Sequence, residues 1–295
     1  MENAMTFAQQ AEAYIADIAS VARPNTLHVY RSILDNRINP AIGGLDLAEV
    51  DNKTAKSLVG RLAEAHLSPA TIGLAVTLVK QVVKSAVDER GNRLYPVVWN
   101  PDYIKAPSID PDAQKAPITP VETLQAALQT TSGETKALIA LLASTGLRIN
   151  EALAIGQGNQ WDPESGTVTV LGTLVEGAFQ PTPKTKAGKR VVDLAPEVNT
   201  LLKAVYPTED ARKGTLFPAS ETTYRRKFTE LGIHGFHSLR RFRITHLQLA
   251  NVPESLTKFW AGHAAKDITA RYTKVGSEIS ARKDWSEKAG TGFQL

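Results

Sequence analysis

The sequence predicts a mainly α-helical protein of two domains, with a small β-sheet confined to the second. Three observations predict it. Apolar residues recur at helical spacing through the first 86 positions, a proline-rich polar stretch breaks the chain between Asn100 and Pro120, and short alternating runs occur between Thr167 and Leu194. At 295 residues the chain exceeds one average domain.

From the N-terminus, Phe7, Ala11, Tyr14, Ile15 and Ile18 form one helical stripe, and Leu27, Tyr30, Ile33, Leu34 and Ile38 a second that opens after Pro24. Leu58, Val59, Leu62 and Ala65 make a third. Ser68 and Pro69 read as N-cap and first-turn proline of a fourth, which carries Ile72, Ala75, Leu78, Val82 and Ala86. Four such helices bury their stripes in one compact bundle. Arg31, Arg37, Lys80 and Lys84 are its candidates for phosphate contact, although solvated side chains are the ordinary reading of isolated surface cations.

Pro101, Pro107, Pro111 and Pro117 interrupt any helix and define a linker at 106–117, between domains at 1–105 and 118–295. Thr119-Pro120-Val121-Glu122 has the form of a capping box with proline at the first helical position. An apolar helix over 135–144 is stopped by Gly146, and Arg148 opens the next turn with Glu151 three residues on. Strands are expected at 167–171, 177–182 and 190–194, and helices at 196–205 and 221–231. The turn before the third strand holds Lys184, Lys186 and Lys189. In the last 23 residues Val275, Ile279, Trp285 and Phe293 are the larger apolar exceptions, equally suited to docking on their own domain or on a neighbour.

Composition narrows the function classes. No apolar run reaches the roughly 18 residues of a membrane span, and the first ten residues lack a basic start followed by an apolar core, so a cytoplasmic location is expected. With no cysteine there is neither a disulfide frame nor a thiolate metal site. No Asp/Glu/His cluster has metal-ligand spacing and no phosphate-binding Gly-x-x-x-x-Gly-Lys loop occurs, so no cofactor is expected. Net charge is +4, with 11 Lys+Arg against 12 Asp+Glu in residues 1–110 and 23 against 18 in 111–295, a mild pointer to an anionic partner of the second domain.

The stretch from His237 to Tyr272 carries the chemistry. His237 and Arg240 share a helical face, His263 follows Gly262, and Tyr272 comes nine residues later. An isolated phenol with a pKa of about 10 is a poor nucleophile at neutral pH, so a reactive tyrosine needs a cationic setting. Arg148 and a lysine of the 184–189 turn supply such cations upstream. A lone Arg-x-x-Glu is normally a surface ion pair, and Arg148 gains meaning only from the rest of the set.

In order and spacing, Arg148, Lys184, His237, Arg240, His263 and Tyr272 resemble the catalytic signature of the tyrosine recombinases, the phage integrases and Xer-type recombinases. The resemblance covers about Ile118 to just beyond Tyr272 and, more loosely, the helical region before it. It implies a helical core-binding domain joined by the linker to an α+β catalytic domain with a small antiparallel sheet, the two closing around DNA as a clamp. The separate small arm-binding domain of many phage integrases is not expected. The resemblance prefers Lys184 over Lys186 as general acid and gives Glu151 the task of orienting Arg148. Its usual pattern lacks the basic run Arg241-Phe242-Arg243, which leaves Arg243 either a DNA contact or a solvated side chain, while His246 reads as structural.

By this resemblance Tyr272 attacks a scissile phosphate to give a 3'-phosphotyrosyl link and a free 5'-hydroxyl. Arg148, Arg240 and His263 bind the nonbridging oxygens, Lys184 protonates the leaving oxygen and His237 assists proton transfer at the tyrosine. The implied partners are double-stranded DNA and further copies of the chain, as a tetramer on paired sites and a monomer or dimer without DNA, together with an accessory bending or directionality factor; the implied setting is a bacterial or phage-encoded protein acting on the nucleoid. Other uses of the same chain are a resolvase of replicon dimers, a relaxing nicking-closing enzyme and a DNA-binding member that has lost catalysis.

Overall fold

The structure, a computed structural model, describes residues 5–22, 24–108, 118–181, 189–262 and 278–295. It divides into two compact units, Met1–Ala113 and Gln114–Leu295, each built on its own hydrophobic core. Among the described residues no helix is long and apolar enough to cross a membrane.

The first unit is the expected helical bundle. Helix α1 (Phe7–Ile18) buries Phe7, Ala11 and Ile15, and Thr6 and Gln9 close a reciprocal capping box at its start. Helix α2 (Pro24–Ile33) begins on Pro24 itself and passes into a π-helical turn, Leu34–Ile38, before α3 (Asn39–Ile42). The second stripe was expected to continue as one helix. Pro40 has no N–H for the carbonyl four residues back, so the ladder widens and the Asn39 N–H reaches the Leu34 carbonyl instead.

Helix α4 (Asn52–Glu64) is capped by Asp51, and α5 (Pro69–Ser85) by Ser68, whose hydroxyl accepts from the Thr71 N–H as the sequence predicts. Polar bonds from Gln10 to Ser85 (2.9 Å) and from Tyr14 to Gln81 (3.1 Å) fix α1 against α5. A last short helix, α6 (Pro101–Ile104), adds Ile104 to the same core, and Asn52 holds its approach by bonding the Val98 carbonyl and the Asn100 N–H.

In the second unit the central element is α8 (Gly133–Thr145), in which every residue from Ala137 to Thr145 is buried. A helix apolar on all sides has to be enclosed, and α10 (Pro196–Val205) and α12 (Phe236–Leu249) pack against it. Gly146 ends α8 in the left-handed conformation at φ 68°, turning the chain toward α9 (Ile149–Ala152).

The start of α7 (Val121–Thr130) corrects an expectation. Pro120 is the N-cap rather than the first helical residue, and no side chain caps the helix. Thr119 is buried, and its hydroxyl shares a 2.5 Å hydrogen bond with Ser238 at the start of α12. A tertiary partner has taken the group that the local pattern assigned to a cap.

The β-structure forms two small antiparallel sheets. Strands β1 (Gln160–Asp162), β2 (Thr167–Val170) and β5 (Arg190–Asp193) lie in the order β1-β2-β5, while β3 (Gly172–Val175) and β4 (Ala178–Pro181) form a separate hairpin. Strands β1 and β3 were not expected. Buried Asn159 makes the division: its carbonyl oxygen accepts from the Leu171 (2.6 Å) and Gly172 (2.9 Å) N–H groups, and its amide donates to the carbonyls of Glu151 and Gly172. The chain is thereby bent after Val170, so the strand expected over 167–171 ends at Val170 as β2, and β3 starts beyond it at Gly172.

The remaining helices are α11 (Glu221–Glu230), α13 (Glu254–Ala261) and, at the C-terminus, α14 (Ile279–Ala289). Of the four apolar tail residues, Trp285 and Phe293 dock on their own unit, Ile279 is exposed and Val275 lies outside the described residues. Arg282 pairs with Asp193 of β5 at 3.0 Å, Trp285 packs against the core of the unit, and Phe293 is buried in it.

Candidate active site

Arg148 caps the N-terminus of α9, and its position follows from two local features. Gly146 supplies the left-handed turn that no β-carbon-bearing residue adopts readily, and Glu151 reaches back to the Arg148 N–H at 2.9 Å. The same carboxylate accepts from the Arg148 guanidinium at 2.9 Å, yet 43% of that side chain still faces solvent. Arg148 is therefore held at its root and open at its fork.

Glu151 itself is buried and belongs to a larger arrangement. Arg190, at the start of β5, lays both terminal nitrogens on it at 3.1 and 2.8 Å, and the Arg190 Nε–H donates to the Trp260 carbonyl at 2.7 Å. Burial is the largest single influence on the Glu151 carboxyl and would raise its pKa. The hydrogen bonds and charges of Arg190 and Arg148 outweigh it and hold the carboxyl below its ordinary value of 4.5. A depressed carboxylate adds stability that is complete above its unfolded pKa and lost as pH falls through the folded one. Thermal melts of the wild type should fall off below about pH 4.5, and Glu151→Gln should flatten that acid limb; an unchanged limb would show that other groups carry it.

On α12, Arg240 is buried, and two of its N–H groups go to the carbonyls of Gly146 (2.6 Å) and Ala261. Both acceptors lie at helix C-termini, where unsatisfied carbonyls favour a cation. Burial, then the charge of Arg148, brings the Arg240 guanidinium down to about 10, which leaves it cationic at neutral pH. His237, one turn earlier, is exposed and lies with Arg148 on the lining of a recess of about 450 Å³ that also presents Thr173, His234 and Arg225, the last paired with Glu221 on the same lining. Loss of hydration lowers the His237 pKa first, and the charges of Arg240, Arg148, Arg241 and Arg225 lower it further. Its imidazole is thus neutral at pH 7 and able to accept a proton.

The structure brings Arg148, Glu151, His237 and Arg240 into one neighbourhood. Lys184, its competitor Lys186, His263 and Tyr272 lie outside the described residues. Arg243 is corrected. It was expected as a DNA contact or a solvated side chain, but it is 3% exposed and donates to the Gly290 carbonyl at 2.5 Å. An arginine committed to the chain after α14 is part of the tail anchor and does not reach a ligand. His246 is structural, as expected, with its ring stacked on Phe242 and its Nε2 bonded to the Ala289 carbonyl at 2.8 Å.

In the first unit Arg31 and Arg37 are exposed and Arg31 pairs loosely with Glu12 at 3.6 Å. Lys84 is exposed as well, whereas the Lys80 ammonium sits 5.7 Å from the centre of the Trp99 ring. None of the four is selected by its surroundings as a ligand group.

Arg190 is the residue that sequence reasoning missed. A signal was present: it shares a strand face with inward-pointing Val192, and an arginine at an apolar-facing position needs a buried acid. Among the described residues no three His, Asp or Glu side chains are grouped so as to hold a metal ion.

A recess on a mainly helical unit, with one half-exposed arginine fork that keeps donors beyond its bond to Glu151 and a neutral histidine beside it, defines an anion-binding site suited to a phosphodiester. Comparison with known proteins narrows this class. Residues 119–278 match the phage integrase family, and residues 6–59 match the N-terminal SAM-like domain of phage integrases. The chain belongs to the phage integrase family and is a site-specific tyrosine recombinase, an enzyme that cuts and rejoins DNA.

Among solved structures, the Tn1549 transposon integrase in complex with a circular intermediate DNA aligns with a TM-score of 0.73 at 20% identity, covering 95% of this chain and 98% of that one. A lambda integrase dimer bound to a core site aligns with a TM-score of 0.64 at 16% identity, covering 96% of this chain and 78% of that one. A lambda integrase tetramer on a Holliday junction gives 0.65 at 16% identity, covering 90% and 79%. At these identities the likeness establishes the fold. No match is found among curated proteins.

Proposed function

We propose that Tyr272 is the nucleophile of this recombinase and that Arg148, Arg240 and His263 bind the nonbridging oxygens of the scissile phosphate. The tyrosine oxygen forms a bond to phosphorus and the bond from phosphorus to the 5'-oxygen breaks, leaving a 3'-phosphotyrosyl ester. Lys184 gives a proton to the departing 5'-oxygen, and neutral His237 takes part in moving the tyrosine proton. Attack by a 5'-hydroxyl from a partner strand reverses the step and conserves the ester, so no external energy source is needed. Charge accumulates on the nonbridging oxygens as phosphorus becomes pentacoordinate, which is where fixed cations contribute most.

The observation that carries this reading is Arg148: anchored by Glu151 at 2.9 Å, it still offers its fork to the recess shared with His237. The substrate is double-stranded DNA, engaged by four copies of the chain on paired sites and by one or two before synapsis. A bending or directionality factor fits the same scheme. Integration, rather than resolution of replicon dimers, is the reading adopted here.

Tyr272→Phe should bind a duplex carrying the target site as the wild type does and leave no covalent protein–DNA adduct on a nicked suicide substrate, resolved by denaturing electrophoresis. Persistence of the adduct would reassign the nucleophile. A two-site assay separates strand exchange, which requires synapsis, from simple relaxation of supercoils.

A further inference from the structure

Arg190 has no part in the scheme above, and its surroundings are unlike those of a residue that merely fills space. Its side chain is 1% exposed, so a phosphate arriving from solvent does not meet it. Three separate hydrogen bonds fix its guanidinium, two to Glu151 and one to the Trp260 carbonyl. The fork thus joins the carboxylate under Arg148 to the last turn of α13. One residue beyond that helix, Gly262 is left-handed at φ 65°, and a β-carbon placed there would lie 2.7 Å from an Arg190 terminal nitrogen. The backbone at Gly262 is therefore seated on the Arg190 guanidinium, and only glycine permits that approach.

Glu151 is equally constrained from the other side. Its Oε1 accepts from both guanidinium groups and its Oε2 from the Arg148 N–H and from Arg190. Without Arg190 the carboxylate loses two of these four bonds and the orientation that holds the Arg148 fork toward the recess. Arg240, on which the Glu151 charge acts, donates to the Ala261 carbonyl and so shares the α13 terminus with Arg190.

We propose that Arg190 is a positioning residue, acting on Arg148 through Glu151 and fixing the end of α13 through Trp260 and Gly262. This rests on the assignment of Arg148 to the site. Its chemistry demands arginine: three donors in one plane serve two acceptors on different elements, and a lysine ammonium on a flexible stem cannot reproduce that fork.

A purely stabilising role makes a different prediction, because a buried ion pair can often be replaced by apolar side chains of similar volume with no loss of stability. The test compares Arg190→Lys and the double variant Glu151→Met/Arg190→Met with wild type, reading melting temperature, duplex affinity and single-turnover rate of adduct formation on a suicide substrate. Arg190→Lys should form adduct about 100-fold more slowly, the scale expected for a misplacement of about 1 Å at a reacting group, with duplex affinity unchanged. The double variant should melt at or above the wild-type temperature and remain as slow. Recovery of the wild-type rate in the double variant, or a wild-type rate in Arg190→Lys, overturns the role. Tyr272→Phe, run in parallel, separates the two levels: adduct from that variant refutes the nucleophile assignment and removes the basis for positioning, whereas loss of adduct there with wild-type rates in the Arg190 variants refutes positioning alone.

Discussion

Replacing Arg148 with lysine should slow covalent adduct formation by about 100- to 1,000-fold, the cost typical of removing one fixed donor from a developing oxyanion, while duplex affinity changes little. The reason lies in how the Arg148 fork is divided. One terminal nitrogen is committed to Glu151 at 2.9 Å, and the rest of the group faces the recess. A lysine offers a single ammonium, so it pairs with buried Glu151 or turns to the phosphate and cannot hold both. The backbone N–H at position 148 still caps Glu151 in the variant, so local structure survives and the loss reports on chemistry. Single-turnover cleavage at saturating enzyme checks this, and a rate within about tenfold of wild type would remove Arg148 from its proposed role.

The largest effect on stability is expected from Arg282→Met, which should lower the unfolding free energy of the second unit by about 3–5 kcal/mol. Arg282 and Asp193 are both buried, with their charged atoms 3.0 Å apart. Removing the cation leaves the buried carboxylate, among the described residues, with the Trp260 indole N–H at 2.8 Å as its remaining side-chain donor. A loss of that size is a large share of the 5–15 kcal/mol typical of a whole domain. Urea unfolding supplies the number, and amide exchange locates it: protection should fall first along α14, which Arg282 ties to β5. A change below about 1 kcal/mol would mean that the tail is held mainly by Phe293 and by the bond from Arg243 to Gly290.

The two variants act on opposite ends of strand β5 through its partners, Arg148 by way of Glu151 and Arg190, and Arg282 by way of Asp193. Arg190 and Asp193 are the first and last residues of β5, and each meets a partner from a distant part of the chain. Strand β5 therefore links the cationic recess to the C-terminal anchor through four residues, and α13 joins in at both points through Trp260: its carbonyl accepts from Arg190 and its indole donates to Asp193.

Much of this was legible in the residues. The helical stripes from Phe7 to Ala86, the Ser68 cap with Pro69, the stop at Gly146 and the pairing of Arg148 with Glu151 are written in neighbours three or four positions apart, where helix geometry leaves little choice. The order of Arg148, His237 and Arg240, with its resemblance to a recombinase signature, was equally plain. Where expectation and structure part in the second unit, a side chain distant in sequence intervened. Thr119 bonds to Ser238 across 119 positions instead of capping α7, and Asn159 ends β2 at Val170 and sets off the unexpected β3.

By itself, then, the sequence determined the helical bundle, its caps and the mainly helical class with small antiparallel sheets, because propensity, periodicity and turn chemistry act over a few residues. Only the tertiary structure decided that Arg243 is an internal strut, that the tail docks on its own domain and that Arg190 lies beneath Arg148. The Glu151–Arg190 and Asp193–Arg282 pairs span 39 and 89 positions. A buried charge takes whichever opposite charge the packed core brings within reach, and that choice is made in space, by the cost of leaving it unpaired.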